Sequence, residues 1–249
     1  MRKSTLKSFL LPLLILTVVF VSCKDDSYLT TPVPVKGVSF VEEFDTVTAA
    51  YARGWRYINV SAQKGTGFWN QGGLNDPNVT GFHAPIPFAP YSSKGTYPGF
   101  IAADFTSTSG GAVTISNWVV SPVTLMQNGD KVVFYTRTYL FPITGDSTDF
   151  ANRLQVRINK SESLNVGSED DPGDFSTNIL DINPFYKEST SLNPDPTAYP
   201  ARWTRFEATV NGLNGPTKGR FAFRYYTEEA GNAGRATLVA IDSVAFISK

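Results

Sequence analysis

Beyond residue 37, several short segments of the chain alternate between apolar and polar residues or run apolar, and they are separated by turn-forming residues such as glycine, proline and asparagine. Alternation with a period of two is typical of half-buried β-strands. The segments with this character are Val38–Phe44, Gly54–Val60, Gly99–Phe105, Asn117–Val120, Lys131–Leu140, Arg153–Asn159, Trp203–Val210, Arg220–Tyr226 and Thr237–Ile247. No uninterrupted amphipathic helical window separates them. The pattern predicts one nearly all-β domain over residues 38–249, an antiparallel β-sandwich or jelly roll.

Turn residues refine this prediction. Asn128-Gly129 lies between the apolar runs 123–125 and 132–135 and indicates a hairpin, because a type I′ turn needs positive φ at both central residues. The segments 61–98 and 166–200 are long and rich in glycine, proline, asparagine and aspartate. Since loops of that length are often functional, we expect any binding surface to lie there.

The first 22 residues begin with basic side chains, continue with an apolar run and end in a small residue. This order is typical of a removable signal peptide. The apolar run from Phe9 to Val21 is shorter than the roughly 20 residues that span a bilayer. It ends in Phe20-Val21-Ser22-Cys23, which resembles a lipobox with phenylalanine in place of the usual leucine. Cys23 is the only cysteine in the chain, and we expect it to be acylated and to become the first residue of the mature protein.

Two features after Cys23 concern localisation. Lys24, Asp25 and Asp26 follow directly and resemble the short surface-export signal of lipoproteins in the Bacteroidota. Residues 23–37 consist largely of serine, threonine, proline and valine, a composition typical of an extended, flexible tether. We therefore predict an outer-membrane lipoprotein displayed on the cell surface, the alternative being the periplasmic face of that membrane.

Charge excludes some partners. The whole chain has 22 basic and 22 acidic residues, and loss of the signal peptide removes three basic ones, which leaves a mature charge of −3. A near-neutral balance without basic runs argues against nucleic acid and against electrostatic docking on anionic lipid. Attachment to the membrane then depends on the acyl chains.

Several short motifs follow one another in an order that resembles choice-of-anchor J domains and the related cleaved-adhesin and MAM-like modules. These motifs are Phe40–Asp45, Gly54-Trp55, Trp118–Pro122, Arg153–Val156, Tyr199–Trp203, Gly219–Tyr225 and Ile241–Val244. The resemblance implies a jelly-roll sandwich of galactose-binding or concanavalin-like type over nearly the whole mature chain. It also implies a noncatalytic surface module, with adhesion or glycan binding as the expected role.

Catalytic chemistry finds little support. His83 is the only histidine, so a catalytic triad or a zinc site would depend on one residue. Acylation of Cys23 removes the only thiol, and no G-x-S-x-G elbow is present. Paired carboxylates remain as the route to a glycoside hydrolase, because their separation cannot be deduced from sequence. We predict that the protein is not an enzyme.

A structural calcium ion is the candidate cofactor. Jelly-roll modules often bind calcium where the first strand meets the last, and Glu42, Glu43, Asp45 and Asp242 are oxygen donors from those two segments. Against this, the aspartate-rich loop that follows Gly-Trp in cleaved-adhesin domains is absent after Trp55. Ordinary charge on edge strands is the alternative.

Sugar-binding surfaces combine aromatic faces with polar groups that bind hydroxyls. Trp69 and Asn70 lie among loop-forming residues, and His83, Tyr91 and Tyr97 follow in the same long segment. We predict a ligand-binding surface from these five residues, the alternative being a loop packed over the sandwich. The other three tryptophans, Trp55, Trp118 and Trp203, are predicted core residues.

Together these observations predict a lipid-anchored binding module with a glycan or a host or matrix surface component as ligand. The alternative is an interaction subunit that docks on another outer-membrane protein and binds no small ligand. A glycoside hydrolase has the least support.

Overall fold

The computed structural model describes residues 37–75, 80–92 and 99–249. The predicted signal peptide, the predicted acylation site Cys23, the predicted export signal, most of the predicted tether and Tyr97 lie outside this range. Within it, a search for helices long and apolar enough to cross a membrane finds none.

The described chain is almost entirely strand. Its strands are β1 (Phe40–Glu42), β2 (Arg56–Asn59), β3 (Asn70–Gly72), β4 (Phe100–Asp104), β5 (Val113–Val120), β6 (Thr124–Met126), β7 (Lys131–Arg137), β8 (Phe141–Ile143), β9 (Asp146–Thr148), β10 (Leu154–Asn159), β11 (Thr177–Ile182), β12 (Thr204–Thr209), β13 (Thr217–Ala230) and β14 (Leu238–Ile247). One helix, α1 (Val47–Ala52), follows β1, and a 3₁₀ turn, Phe105–Ser107, follows β4. Each of the nine predicted segments contains a strand.

The strands form two antiparallel six-stranded sheets and one small hairpin. The first sheet has the order β12-β7-β14-β4-β3, with β1 also paired to β14. The second has the order β11-β10-β13-β5-β2, with β6 paired to β13, and β8 pairs with β9. Successive strands repeatedly cross from one sheet to the other, which confirms the predicted jelly-roll β-sandwich.

Aromatic side chains fill the space between the sheets. Phe221 of β13 stacks on Phe246 of β14 and meets Trp55 edge to face, with ring centroids 6.0 and 5.7 Å apart. Phe134 of β7 meets Phe223 of β13 at 4.8 Å. Because the Phe221–Phe246 and Phe134–Phe223 pairs join residues of opposite sheets and are fully buried, they hold the two layers together.

The predicted hairpin at Asn128-Gly129 is wrong. The turn exists, since Gly129 has φ of +97° and Asp130 N–H donates to the carbonyl of Gln127 at 3.1 Å. However, β6 pairs with β13 in the second sheet while β7 lies in the first. The turn therefore joins two sheets. Met126 and Val132, on either side of the turn, are both buried in the core that the sheets share.

The sandwich has two ends of different character. At one end, which we call the base, Gly37 N–H donates to the Ser248 hydroxyl just after β14, at 2.9 Å. At the other, the loop end, lie the start of β14, the ends of β4, β7 and β13, and the β8–β9 hairpin. Since β14 has ten residues, the two ends are roughly 30 Å apart.

Candidate functional site

Loops from distant parts of the chain meet at the loop end and form an aromatic groove of about 420 Å³. Its ring-bearing walls are His83, Phe105, Phe141 and Phe150. The His83 ring lies 4.8 Å from that of Phe105 and 6.1 Å from that of Phe141. His83 is exposed and the three phenylalanines are half-buried, so part of each ring faces the groove while the remainder packs against the protein.

A polar pocket of about 610 Å³ adjoins this groove and shares Phe150, Ala233 and Gly234 with it. Tyr186, Glu188, Glu229 and Arg235 line it. The Arg235 guanidinium lies 4.5 Å from the centre of the Tyr186 ring and 2.9 Å from a Glu229 oxygen. We call the two parts together the loop-end groove, an aromatic half beside a charged half.

Asp104 positions one wall of the aromatic half. Its Oδ2 accepts the His83 N–H at 2.6 Å, and its Oδ1 accepts the Thr106 N–H at 3.0 Å. Burial raises the pKa of this carboxyl group, against the opposing effect of the Thr106 and His83 hydrogen bonds. One buried side chain therefore fixes both the loop that carries His83 and the 3₁₀ turn that carries Phe105.

The opposite wall belongs to the β8–β9 hairpin and the residues after it. Phe141 begins β8 and pairs in register with Thr148. The Thr148 hydroxyl donates to Glu188, and Asp146 accepts the Ser191 hydroxyl at 2.5 Å. These bonds tie the hairpin to the loop after β11, so the aromatic and charged halves share one support.

A buried hydrogen-bond network lies beneath the groove. Asn152 Oδ1 accepts the Tyr225 hydroxyl at 2.8 Å and the Thr237 N–H at 2.9 Å. Asp149 Oδ1 accepts the N–H groups of Ala151 and Ser189, while its Oδ2 has no partner within the described part of the chain. Burial, with a smaller contribution from Glu188, raises the pKa of Asp149 to about 6.

Unusual backbone conformations concentrate around the site. Among the described non-glycine residues with positive φ, six line the loop-end groove: Ala112, Phe150, Ala151, Tyr186, Glu229 and Ala236, with φ from 48° to 88°. L-residues adopt this region at a cost of about 1–2 kcal/mol each, and such residues cluster at ligand sites. Their concentration here is an independent mark of a binding site.

The predicted exposure of Trp69 is wrong. Its side chain is only 2% exposed and belongs to the main hydrophobic cluster. Asn70 begins β3, and its amide donates to the Phe68 carbonyl at 3.2 Å. This part of the loop packs over the sandwich, because burying the indole removes a large apolar area from water. Of the four predicted binding residues that the structure describes, only His83 reaches the loop-end groove.

Tyr91 lies elsewhere, on the outer side of the first sheet. It is exposed on one face, and its other face stacks on Tyr135 with centroids 3.5 Å apart. The N–H groups of Tyr91 and Ser92 donate to Asp242 Oδ2 at 2.8 and 3.0 Å. Tyr91 therefore serves to hold its own loop against β14 and is separate from the groove.

The predicted calcium ligands do not assemble into one site. Within the described ranges no group of three or more histidine, cysteine, aspartate or glutamate side chains is placed to hold a metal ion. Both Glu42 oxygens accept hydrogen bonds from Arg53, at 2.5 and 2.8 Å. The Asp242 carboxylate already accepts hydrogen bonds from the Ser92 hydroxyl and the Ser243 N–H, and Asp45 is exposed. Glu42, Glu43, Asp45 and Asp242 therefore do not fit a shared calcium ion.

Sequence reasoning missed most of the site. Phe105, Phe141 and Phe150 come from three different loops, and no local spacing links them. The one available signal is the pair Phe141 and Phe150 on either side of the turn at Thr144-Gly145. These two apolar residues lie outside the predicted core strands or at their edge, which could have marked them as surface aromatic residues. The long segment 166–200, predicted as a loop, does contribute Tyr186 and Glu188, although it also contains β11.

Comparison with known proteins gives structural likenesses only. No family model and no curated protein matches this chain. Similar solved structures include the K1 and K3 cleaved adhesin domains of Lys-gingipain from Porphyromonas gingivalis. The K1 domain has 15% identity and a TM-score of 0.49, with 85% of this chain and 99% of that chain covered. The K3 domain has 13% identity and a TM-score of 0.47, with 84% and 98% covered. The CBM22-1 xylan-binding domain from Paenibacillus barcinonensis has 9% identity and a TM-score of 0.38, with 86% and 96% covered.

Proposed function

We propose that the protein is a noncatalytic, lipid-anchored surface protein whose loop-end groove binds a carbohydrate. The observation that carries this proposal is the juxtaposition of four partly exposed rings, His83, Phe105, Phe141 and Phe150, with a charged pocket. A pyranose has an apolar C–H face and a rim of hydroxyls. The two halves of the groove match these two parts of a sugar.

The charged half supplies both kinds of hydrogen-bonding group. Arg235 donates through its guanidinium, and Glu188 and Glu229 accept through carboxylate oxygens. The Tyr186 hydroxyl donates to Glu228 at 2.9 Å and accepts from Arg153 at 3.1 Å, which fixes the ring beside the pocket. Because hydroxyls both donate and accept, this mixture suits a neutral polyol better than an anion or a cation.

A lipid anchor at Cys23 suits a binding role at the loop end. The chain joins the sandwich at the base, through Gly37, and the groove lies roughly 30 Å away at the far end of β14. A ligand outside the membrane would reach the groove without obstruction from the anchor. Protease accessibility on intact cells tests surface display, since a domain on the periplasmic face would stay protected until the outer membrane is opened.

Hydrolysis has less support than binding. Each of the two carboxylates that line the pocket uses one oxygen within the protein, Glu188 toward the Thr148 hydroxyl and Glu229 toward Arg235, and keeps the other to accept from a ligand. A glycosidase needs one carboxylic acid to donate a proton and a second carboxylate on the other side of the bond. We therefore expect the protein to leave a bound oligosaccharide intact, which chromatography of the recovered ligand checks.

The experiment is a glycan screen of the mature protein beside the Phe141→Ala variant. Phe141 is half-buried in a small hairpin outside both main sheets, so its truncation leaves the sandwich core untouched. Since an aromatic stacking contact contributes about 0.5–1.5 kcal/mol, we expect a loss of affinity of about three- to tenfold.

Tyr51→Ala is the matched control, because Tyr51 is 54% exposed on α1, away from the groove. Its affinity should equal that of the original protein. Binding that Phe141→Ala leaves unchanged would refute the groove as the site. Failure to bind any glycan would favour the alternative role, an interaction subunit that docks on another outer-membrane protein.

A further inference from the structure

The base of the sandwich has a second concave surface, unrelated to the loop-end groove. This base groove has a volume of about 430 Å³ and is lined mainly by Val38, Phe40, Val41, Trp55, Pro122 and Val123. Val38 is 80% exposed and Val41 59% exposed. Clustered aliphatic side chains in water are unfavourable and commonly mark a surface that another phase or molecule covers.

The chain itself indicates what covers it. Gly37 lies in the wall of the base groove, and the residues before it lead to Cys23. The 14 residues from Cys23 to Lys36 span at most about 50 Å when fully extended. An acyl anchor at Cys23 therefore keeps the base groove within about 50 Å of the bilayer, so that contact with lipid becomes an intramolecular event and even a weak contact is populated.

Charge around the base groove is compatible with lipid. Its one carboxylate, Glu42, is 3% exposed and neutralised by Arg53. Lys218 is exposed and lies directly opposite Leu125 of the groove wall in the β6–β13 register. An exposed lysine beside an aliphatic surface favours contact with anionic lipid.

We propose that the base groove rests on the lipid surface, so that the domain stands upright with the loop-end groove facing outward. This inference rests on the proposed lipid anchor. The net charge alone argues against electrostatic docking on anionic lipid. That argument uses the mature charge of −3, which is a sum over the whole molecule and does not describe the base by itself.

The test measures hydrogen exchange in the mature chain coupled through Cys23 to a maleimide lipid. The coupled protein is placed either in vesicles of phosphatidylcholine and phosphatidylglycerol or in neutral detergent. Because Cys23 is the only cysteine, this coupling is specific when the chain from Cys23 onward is produced without the first 22 residues, so that its thiol stays free. The test then does not depend on whether the cell acylates the residue. A failure of natural lipidation, seen by mass spectrometry of the native protein, is thereby separated from a failure of the present proposal.

In vesicles we expect the amides of segments 37–42 and 121–126 to exchange roughly tenfold more slowly than in detergent, with the loop end unchanged. The Val38→Glu/Val41→Glu variant should lose this protection and keep glycan binding, since both side chains are exposed. Leu192→Glu, at an exposed loop position, is the control and should keep the protection.

Three results would overturn the proposal. The first is equal exchange in vesicles and detergent. The second is protection that survives the double glutamate variant. The third is protection already present in detergent, which would mean that the preceding segment of the chain or a second copy covers the base groove. Loss of the effect in pure phosphatidylcholine vesicles would support it and assign the contact to anionic headgroups.

Discussion

At the scale of single residues, Asp242 shows how a buried carboxyl group couples pH to the stability of the fold. It is fully buried, and burial raises its pKa to about 7 although Ser92, Ser243 and Tyr91 all donate hydrogen bonds to it. The folded protein thus binds more protons than the unfolded chain between pH about 4 and about 7. The free energy of unfolding must therefore fall as pH rises through this window.

We expect this fall to reach at most about 4 kcal/mol from Asp242, with Asp149 adding a smaller change of the same sign. Urea unfolding at a series of pH values from 4 to 8 measures it. Asp242→Asn should flatten the profile, whereas Asp45→Asn, at an exposed position, should leave it unchanged. A profile that keeps its slope in Asp242→Asn would contradict the assignment.

Single residues also show the limit of sequence reasoning about the site. His83 was predicted because a lone histidine in a loop is polar, aromatic and rare. Trp69 is predicted because it lies among loop-forming residues, yet it is buried. Sequence gives the residue type but not the direction in which a loop folds, and the burial of a large indole depends on contacts with strands distant in sequence.

At the scale of elements, the close approach of β3 to β4 depends on Gly72. A Cβ atom at this position would lie 2.1 Å from the Phe100 ring, which is fully buried against Phe88 and Trp203. Gly72→Ala must displace that ring, and overpacking of this kind costs about 1–3 kcal/mol. The free energy of unfolding in urea should fall by that amount.

Gly215→Ala is the matched control, since a Cβ atom there meets nothing within 4 Å. Its stability should change by no more than about 0.5 kcal/mol. Equal stabilities for the two variants would show that β3 moves freely and that the contact with Phe100 is not a constraint.

Elements differ in how far their sequence predicts them. Each of the nine predicted segments carries enough alternating apolar residues to define a strand without knowledge of the rest. By contrast, β8 and β9 have three residues each, of which only Thr148 is buried, and side-chain bonds to the loop after β11 hold them. The pairing of β6 with β13 is also unpredictable locally, because it spans about 90 residues of chain.

At the scale of the whole molecule, the sandwich separates two surfaces along β14, with the loop-end groove at its start and the base groove at its end. Composition reports neither surface, because it sums over residues whose positions only the fold determines. The resemblance of the motifs to jelly-roll modules nevertheless predicts that the first strand meets the last. In the structure β1 pairs with β14, and Phe40 lies opposite Phe246.

The same interleaving of strands predicts how the molecule unfolds. Phe221 of the second sheet contacts Phe246 of the first and Trp55 beside them, so neither sheet keeps a core when the other is lost.

Phe221→Ala should lower the free energy of unfolding by about 3–5 kcal/mol. Because the chain crosses repeatedly from one sheet to the other, tryptophan fluorescence and far-ultraviolet circular dichroism should report one coincident transition in the variant and the original protein. Phe185→Ala, at a side chain 82% exposed, should leave both stability and transition unchanged. Two separated transitions in Phe221→Ala would mean that one sheet is stable alone, contrary to the shared aromatic core.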